Sequence, residues 1–382
     1  MTNELKLEKF EGTHYEMGVQ QGTVYKQKLQ GMWNIFSNME LVKRLKPKII
    51  PKNLFFRTAK KRATEIYKKI IEKYAPKQAE RIRGISEGSG MDLKTLYLFQ
   101  AAETMLSGEA THVIPTGGCT SLGISSKKSS TGDCLISRNF DLYSILIPAY
   151  VGRRSRPIEG FSNIDFGLCV YAGNFHGMNE KGLTITYNYA DPTDGLKPGV
   201  PISILIQEAL EKYETTEETV EFFQKSLRSN GALLLIGDSS GDIEALEISC
   251  HRTGVRLLED SFIVNTNHFH SEQMKPIDIP VDAVFSDKCL DKSLVGKRIR
   301  ESTEKRYERA NMLLSKARTV DEKTLESIMR DHGPERKPSR TTICVHTPYV
   351  STTMSVIFNL NKRTMDALIG NPCQSRYKRF KI

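Results

Sequence analysis

Apolar residues recur at three- and four-residue steps in Ala63, Ile66, Tyr67, Ile70, Ile71 and Tyr74, while Lys60, Lys61, Lys68, Lys69 and Lys73 fall between them. That period predicts a helix with one packed and one wet face. Looser helical spacing of Met17, Gln20, Gln21, Val24 and Leu29 predicts helix over most of 13–42, broken by Lys46-Pro47 and Ile50-Pro51. Pro76 ends or kinks the lysine-faced helix, residues 79–86 continue it towards Gly88-Ser89-Gly90, and 93–106 form another. Residues 108–118 have no helical period and read as an extended linker, with Pro115 biasing its predecessor away from the helical region. From Cys119 the texture changes to short strands. They are expected at 120–125 and 134–139 around the polar turn 127–133, then at 166–172, 183–189, 233–236, 243–248, 256–258, 262–266, 342–347, 351–359 and 364–368. Helices are expected after Pro201, over 217–227 and 297–316, and from a capping box at Thr319-x-x-Glu322. No internal repeat is visible. Strands flanked by pairs of helices predict an α+β fold: one layered domain with a helical N-terminal part.

The 382 residues, 39% hydrophobic and 26% charged, suffice for a large core and exclude a disordered chain. No run approaches eighteen apolar residues, and residues 1–10 lack the apolar stretch of a signal peptide. Seven cysteines, at 119, 134, 169, 250, 289, 344 and 373, form no C-x-x-C pair. The odd count predicts reduced thiols and a cytoplasmic location. The net charge of +10 is uneven, with fifteen basic residues against three acidic ones over 43–83. Such a field attracts anions, an acyl-coenzyme A among them, although a solvated helix face is the simpler account. Nucleic acid is not expected, because the charges are neither interleaved with exposed-looking aromatic residues nor set in a recognisable reading motif.

The candidate chemistry centres on Gly117-Gly118-Cys119-Thr120-Ser121. Cysteine is intrinsically nucleophilic, yet a buried cysteine is more often inert. Hairpin pairing would bring Arg138 and Asp141, in Arg138-Asn139-Phe140-Asp141, close to Cys119; a plain structural salt bridge is the alternative. Asn188 and Asn267 each offer an amide donor for an oxyanion, or else form turns. Tyr187, Tyr189 and Phe269 could line an apolar acyl pocket or pack in the core. No cofactor or metal is expected. His268-Phe269-His270 is half a metal site, Gly84, Gly88 and Gly90 make no phosphate loop, and Asp238 with Asp242 reads as a turn.

Together, Gly118-Cys119-Thr120, Arg138-Asn139-Phe140-Asp141, Asn179-Glu180-Lys181-Gly182-Leu183, Asn188, Thr266-Asn267 and the N-terminal Phe10-Glu11-Gly12-Thr13-His14-Tyr15-Glu16-Met17-Gly18 resemble the cysteine N-terminal-nucleophile hydrolases. The similarity is to the penicillin acyltransferase family, with the choloylglycine hydrolases as cousins, over residues 10 to about 370. The resemblance implies a four-layer αββα sandwich over 119–382 and a mainly helical pro-segment, 1–118, that stays bound after autocleavage between Gly118 and Cys119. It implies Cys119 as nucleophile and, through its freed α-amine, as base, with Arg138 and Asp141 positioning it. Asn188, Asn267 and the distal Arg340 would complete the site. The expected activity is hydrolysis or transfer of a linear amide's acyl group through an acyl-enzyme. The alternatives are an acyl-CoA-dependent N-acyltransferase and a non-catalytic binding or assembly module. Expected partners are a small amide or acyl thioester and an amine acceptor, with no membrane, and with homo-oligomerisation left open.

Overall fold

The structure, a computed structural model, describes residues 5–105, 118–258 and 261–382. The expected linker at 108–118 therefore lies, apart from Gly118, outside the described residues.

A short strand, β1 (Leu7–Gly12), precedes seven helices: α1 (His14–Val24), α2 (Lys26–Asn38), α3 (Glu40–Leu45), α4 (Lys52–Ala63), α5 (Lys69–Tyr74), α6 (Pro76–Ser89) and α7 (Leu93–Met105). The lysine-faced stretch runs from α4 to α5 through one π turn at Thr64–Lys68. Next come β2 (Cys119–Ile124), β3 (Leu135–Tyr143), β4 (Tyr150–Pro157), β5 (Asn163–Leu168), β6 (His176–Asn179) and β7 (Thr184–Ala190). The chain continues with α8 (Ile202–Lys212), α9 (Thr216–Lys225), β8 (Gly231–Gly237), β9 (Ile243–Ile248), β10 (Thr253–Leu257), β11 (Phe262–Asn265), α10 (Glu301–Lys316), α11 (Glu322–Met329), β12 (Val350–Asn359), β13 (Thr364–Ile369) and β14 (Lys378–Lys381).

The strands form two sheets, β1-β4-β5-β6-β7-β8-β9-β10 and β11-β2-β3-β12-β13-β14. They stack face to face through a shared core that includes Ile136, Phe140, Ile185, Tyr187, Leu235 and Met354. Helices α8 and α9 cover the outer face of the larger sheet, and α10 and α11 that of the smaller. The result is the expected α+β, four-layer αββα sandwich. No helix among the described residues is long and apolar enough to cross a membrane.

The helical N-terminal region is fastened to this sandwich by buried polar bonds. Strand β1 pairs in parallel with β4, Tyr25 Oη donates to the Gly152 carbonyl at 2.8 Å, and Arg81 Nη2 donates to Ser155 Oγ at 3.0 Å. His14 Nε2 lies 2.7 Å from Glu211. Helices α1 and α6 cross so closely that a Cβ on Gly84 would stand 2.1 Å from the Tyr15 carbonyl oxygen, and one on Gly18 would stand 2.2 Å from that of Arg81. These glycines serve backbone approach, not phosphate binding.

Two local expectations are corrected, and strand β4 was not foreseen. Helix α11 is capped by Asp321, whose side chain accepts from the Thr324 N–H at 2.7 Å, and not by Thr319. Residues 342–347 form a loop instead of a strand. The Thr342 hydroxyl bonds locally to the carbonyls of Ser339 and Cys344 and accepts from the Ser339 N–H, and these bonds compete with a ladder. Strand β4, Tyr150–Pro157, is not among the expected strands; of its three arginines, Arg153 is fully buried, 2.7 Å from Asp165.

Candidate active site

Cys119 opens β2 beside β3, in register with Phe140, so the hairpin sets Arg138 and Asp141 on either side of that pairing. Cys119 is buried. Arg138 Nη2 donates to Cys119 Sγ at 3.3 Å. Its Nη1 donates to the Phe175 carbonyl at 3.3 Å and to His176 Nδ1 at 2.7 Å, and its guanidinium lies 4.2 Å from the Phe140 ring centre. Burial, together with the charges of Arg138 and Arg153, pulls the His176 pKa well below its ordinary value, so this ring is neutral and can accept from Arg138.

Asp141 is held from two sides. Its Oδ1 accepts from Thr352 Oγ1 at 2.6 Å, while Oδ2 is buried with no hydrogen-bond partner among the described residues. Burial pushes its pKa up to about 6, against the pull of Arg306, the Thr352 bond and Arg138. Strand β12 shifts register against β3 between Thr352 and Met354, directly beside Asp141 and Phe140. A register shift of this kind, here between two interior strands, re-aims side chains locally. The Asp141 N–H donates to the Gly118 carbonyl oxygen at 2.9 Å.

Asn267 follows β11 and faces the same junction. Its Oδ1 accepts from the Cys119 N–H at 2.9 Å, and its Nδ2 donates to the Tyr189 carbonyl at 2.7 Å. The Asn188 side chain is fully engaged: Oδ1 accepts from Ser121 Oγ at 2.7 Å, and Nδ2 donates to the carbonyls of Asn265 and Thr266 at 3.1 and 3.0 Å. It splints the turn that delivers Asn267.

Arg340 stays apart from Cys119. It pairs with Glu301 and lines a neighbouring cavity. A second arginine, besides Arg138, reaches Cys119: Arg306 of α10, which is not among the expected site residues. Its Nη1 donates to the Cys119 carbonyl and, at 3.1 Å, to Thr120 Oγ1; its Nη2 donates to Asn267 Oδ1 at 2.9 Å. The available signal was its place on the buried stripe Thr303, Arg306, Ala310 and Leu314 of an otherwise charged helix. Arg306 also explains Gly118, since a Cβ there would stand 2.6 Å from Arg306 Nη2 and 3.0 Å from Asp141 Oδ2.

Two cavities meet at this junction. One, of about 160 Å³, contains Cys119, Arg138 and Asp141 and is otherwise walled mainly by apolar and aromatic side chains, among them Met32, Phe36, Phe99, Leu146, Phe175 and Tyr187. The other, of about 100 Å³, is more polar and includes Gly118, Asn267, Asp278, Arg300, Arg306 and Arg340. Tyr189 borders both. Phe269 borders neither; it packs with Ala190, Leu233, Met274 and Ile277, so of its two expected places, acyl pocket or core, it takes the core.

The profile of the family described as acyl-coenzyme A:6-aminopenicillanic acid acyl-transferase matches residues 128–374. No curated protein matches the chain. Among solved structures, it is similar to the Caenorhabditis elegans ortholog of N-acylethanolamine-hydrolyzing acid amidase, with 17% identity, 64% of this chain and 93% of that one covered, and a TM-score of 0.42. It is also similar to penicillin V acylase from Agrobacterium tumefaciens, with 14% identity, coverage of 66% and 83%, and a TM-score of 0.42. A mutant of conjugated bile acid hydrolase from Clostridium perfringens has 14% identity, coverage of 69% and 97%, and a TM-score of 0.40.

Proposed function

Because the chain belongs to the acyl-coenzyme A:6-aminopenicillanic acid acyl-transferase family, we propose that it is a self-processing cysteine amide hydrolase or acyltransferase that forms an acyl-enzyme on Cys119. The observation that carries this reading is the Gly118–Cys119 junction. There a thiol, a carbonyl already accepting a hydrogen bond, and a partnerless carboxylate oxygen converge beside an apolar cavity.

In processing, Cys119 Sγ attacks the Gly118 carbonyl carbon. The Asp141 N–H, 2.9 Å from the carbonyl oxygen, is a ready donor for the charge that develops there. The carbon–nitrogen bond breaks, the leaving nitrogen takes the thiol proton, and water opens the thioester to release the Gly118 carboxylate. The freed α-amine, with an ordinary pKa of about 8, then accepts the thiol proton in each turnover. Asp141 Oδ2 holds that amine, and Arg138 donates to the sulfur. Substrate acyl carbon is attacked by Sγ, with Asn267 Nδ2 and the main chain at Asn188 as oxyanion donors, and the amine passes its proton to the leaving nitrogen. Arg340 contributes to binding on the polar side.

The apolar cavity supports a linear amide with an apolar acyl group, and the polar cavity supports its amine portion. Hydrolysis is the leading outcome, because water suffices as acceptor. The acyl-CoA-dependent reading draws support from a groove bearing Lys52, Arg57, Lys60 and Lys61 on the far side of the Trp33, Phe36 and Phe99 cluster. Residues 1–118 serve as a pro-segment that stays bound, which the buried bonds of Tyr25, Arg81 and His14 favour.

Intact-mass analysis of fresh protein beside Cys119→Ala tests this. Fragments of 118 and 264 residues, about 13 and 30 kDa of the 43.2 kDa chain, should co-elute in native gel filtration, while Cys119→Ala stays whole. An uncut parent that turns over neither amides nor acyl thioesters would overturn this reading and support the binding-module alternative instead.

A further inference from the structure

Away from Cys119, four side chains from three stretches of chain converge. His332 follows α11, Cys344 and His346 lie in the loop before β12, and Cys373 lies just past β13. One sulfur or ring nitrogen from each falls within 4.8 Å of all the others. His346 Nε2 stands 3.3 Å from Cys344 Sγ and 3.4 Å from Cys373 Sγ. The His332 and His346 rings lie 5.2 Å apart between centres, and His332 Nε2 is buried with no hydrogen-bond partner among the described residues.

Two thiols and two imidazoles are the donor set of a closed zinc site. A tetrahedral zinc with sulfur at about 2.3 Å and nitrogen at about 2.0–2.1 Å holds sulfur and nitrogen ligands roughly 3.5 Å apart, close to both observed sulfur–nitrogen distances. Calcium and magnesium need oxygen ligands, and this set contains no carboxylate. The spacing His332-x11-Cys344-x-His346-x26-Cys373 matches no short motif, which is why the sequence reading expected no metal.

We propose that this chain binds one zinc ion at His332, Cys344, His346 and Cys373, as a four-coordinate structural site. On binding, the two thiols lose their protons to solvent, so the ion's double charge is balanced by two thiolates and shared with two neutral imidazoles. The site ties α11 and the end of β13 to a loop that reaches the polar cavity. The Val345 N–H donates to Thr352 Oγ1 at 2.9 Å, and that hydroxyl donates to Asp141. Val345 and Thr347 border the cavity itself. The zinc is thus a clip on the wall beside Asp141 and not a partner of the nucleophile.

The test is metal analysis by inductively coupled plasma mass spectrometry, on full-length protein purified under reducing conditions from zinc-supplemented cells and desalted. About one zinc per chain is expected in wild type and equally in Cys119→Ala, which removes the only thiol at the proposed active site. Cys373→Ser, at the most exposed ligand, should lower retained zinc roughly tenfold or more, as should His332→Ala. Cobalt(II) added to metal-stripped wild type should give thiolate charge-transfer absorption that Cys373→Ser lacks. Wild type holding no more zinc than the His332→Ala/Cys373→Ser double variant would overturn the proposal. So would a Cys344–Cys373 disulfide in the freshly purified protein. These readouts need no substrate, so they fail or succeed independently of the amide chemistry.

Discussion

At the scale of residues, the hairpin made Cys119, Arg138 and Asp141 legible, because antiparallel pairing across a short polar turn fixes which side chains share an edge. Arg306 was not legible. Helix α10 reads as a charged helix, and although the stripe of Thr303, Ala310 and Leu314 marks the side on which Arg306 lies, it does not reveal the strand from far upstream that the arginine meets. If Arg306 orients Asn267 and the Cys119 carbonyl, Arg306→Lys keeps the charge but loses the fork. It should lower kcat/KM by about 10²–10³-fold and slow processing, in steady-state kinetics and timed mass spectra. Arg340→Ala should act chiefly on KM, since Arg340, paired with Glu301, lines the polar cavity without bonding to Cys119, Arg138 or Asp141 among the described residues. Asp141 carries a pH signature. Its folded pKa of about 6 exceeds the ordinary value of about 3.9, so the fold favours the protonated form. The cost of its carboxylate is absent below about pH 4 and complete above about pH 6. In unprocessed Cys119→Ala protein, urea unfolding should show stability falling by about 3 kcal/mol over that window, relative to Cys119→Ala/Asp141→Asn.

At the scale of elements, amphipathic stripes disclosed most helices, and the alternation of apolar residues disclosed most strands of the smaller sheet. What escaped were elements whose partners lie far away in sequence. Strand β1 is short and charged and exists by pairing with β4. Strand β4 hides Arg153, which is satisfied by Asp165 and by the carbonyls of Tyr171 and Gly173. The loop at 342–347 has strand-like composition, yet its threonines bond locally. The α1–α6 crossing was likewise invisible as packing, although Gly18, Gly22, Gly84 and Gly88 mark it at four-residue spacing. Gly84→Ala should therefore lower stability by about 1–3 kcal/mol in denaturant unfolding, because its new methyl would press on the backbone of Tyr15, Gly18 and Val19, which has no flexible side chain to give way.

At the scale of the whole molecule, the layered architecture followed from the order of strands and helices, whereas the two cavities did not, since they lie where separate layers meet. An apolar acyl chain filling the larger cavity should gain about 0.8 kcal/mol per buried methylene, roughly fourfold in kcat/KM, until the cavity is full. Leu146→Trp should shorten the preferred acyl chain in a homologous series of amides, without moving Cys119.

Much of that cavity's wall, Met32, Phe36, Met39, Leu41 and Phe99, lies upstream of Cys119, whereas Arg138, Asp141 and Asn267 lie downstream. A single cut at Gly118 would divide the cavity's wall between two polypeptides and leave the reactive groups on one of them. Upstream pieces exchanged between related chains would then hand over a share of the substrate preference while carrying no reactive group of their own.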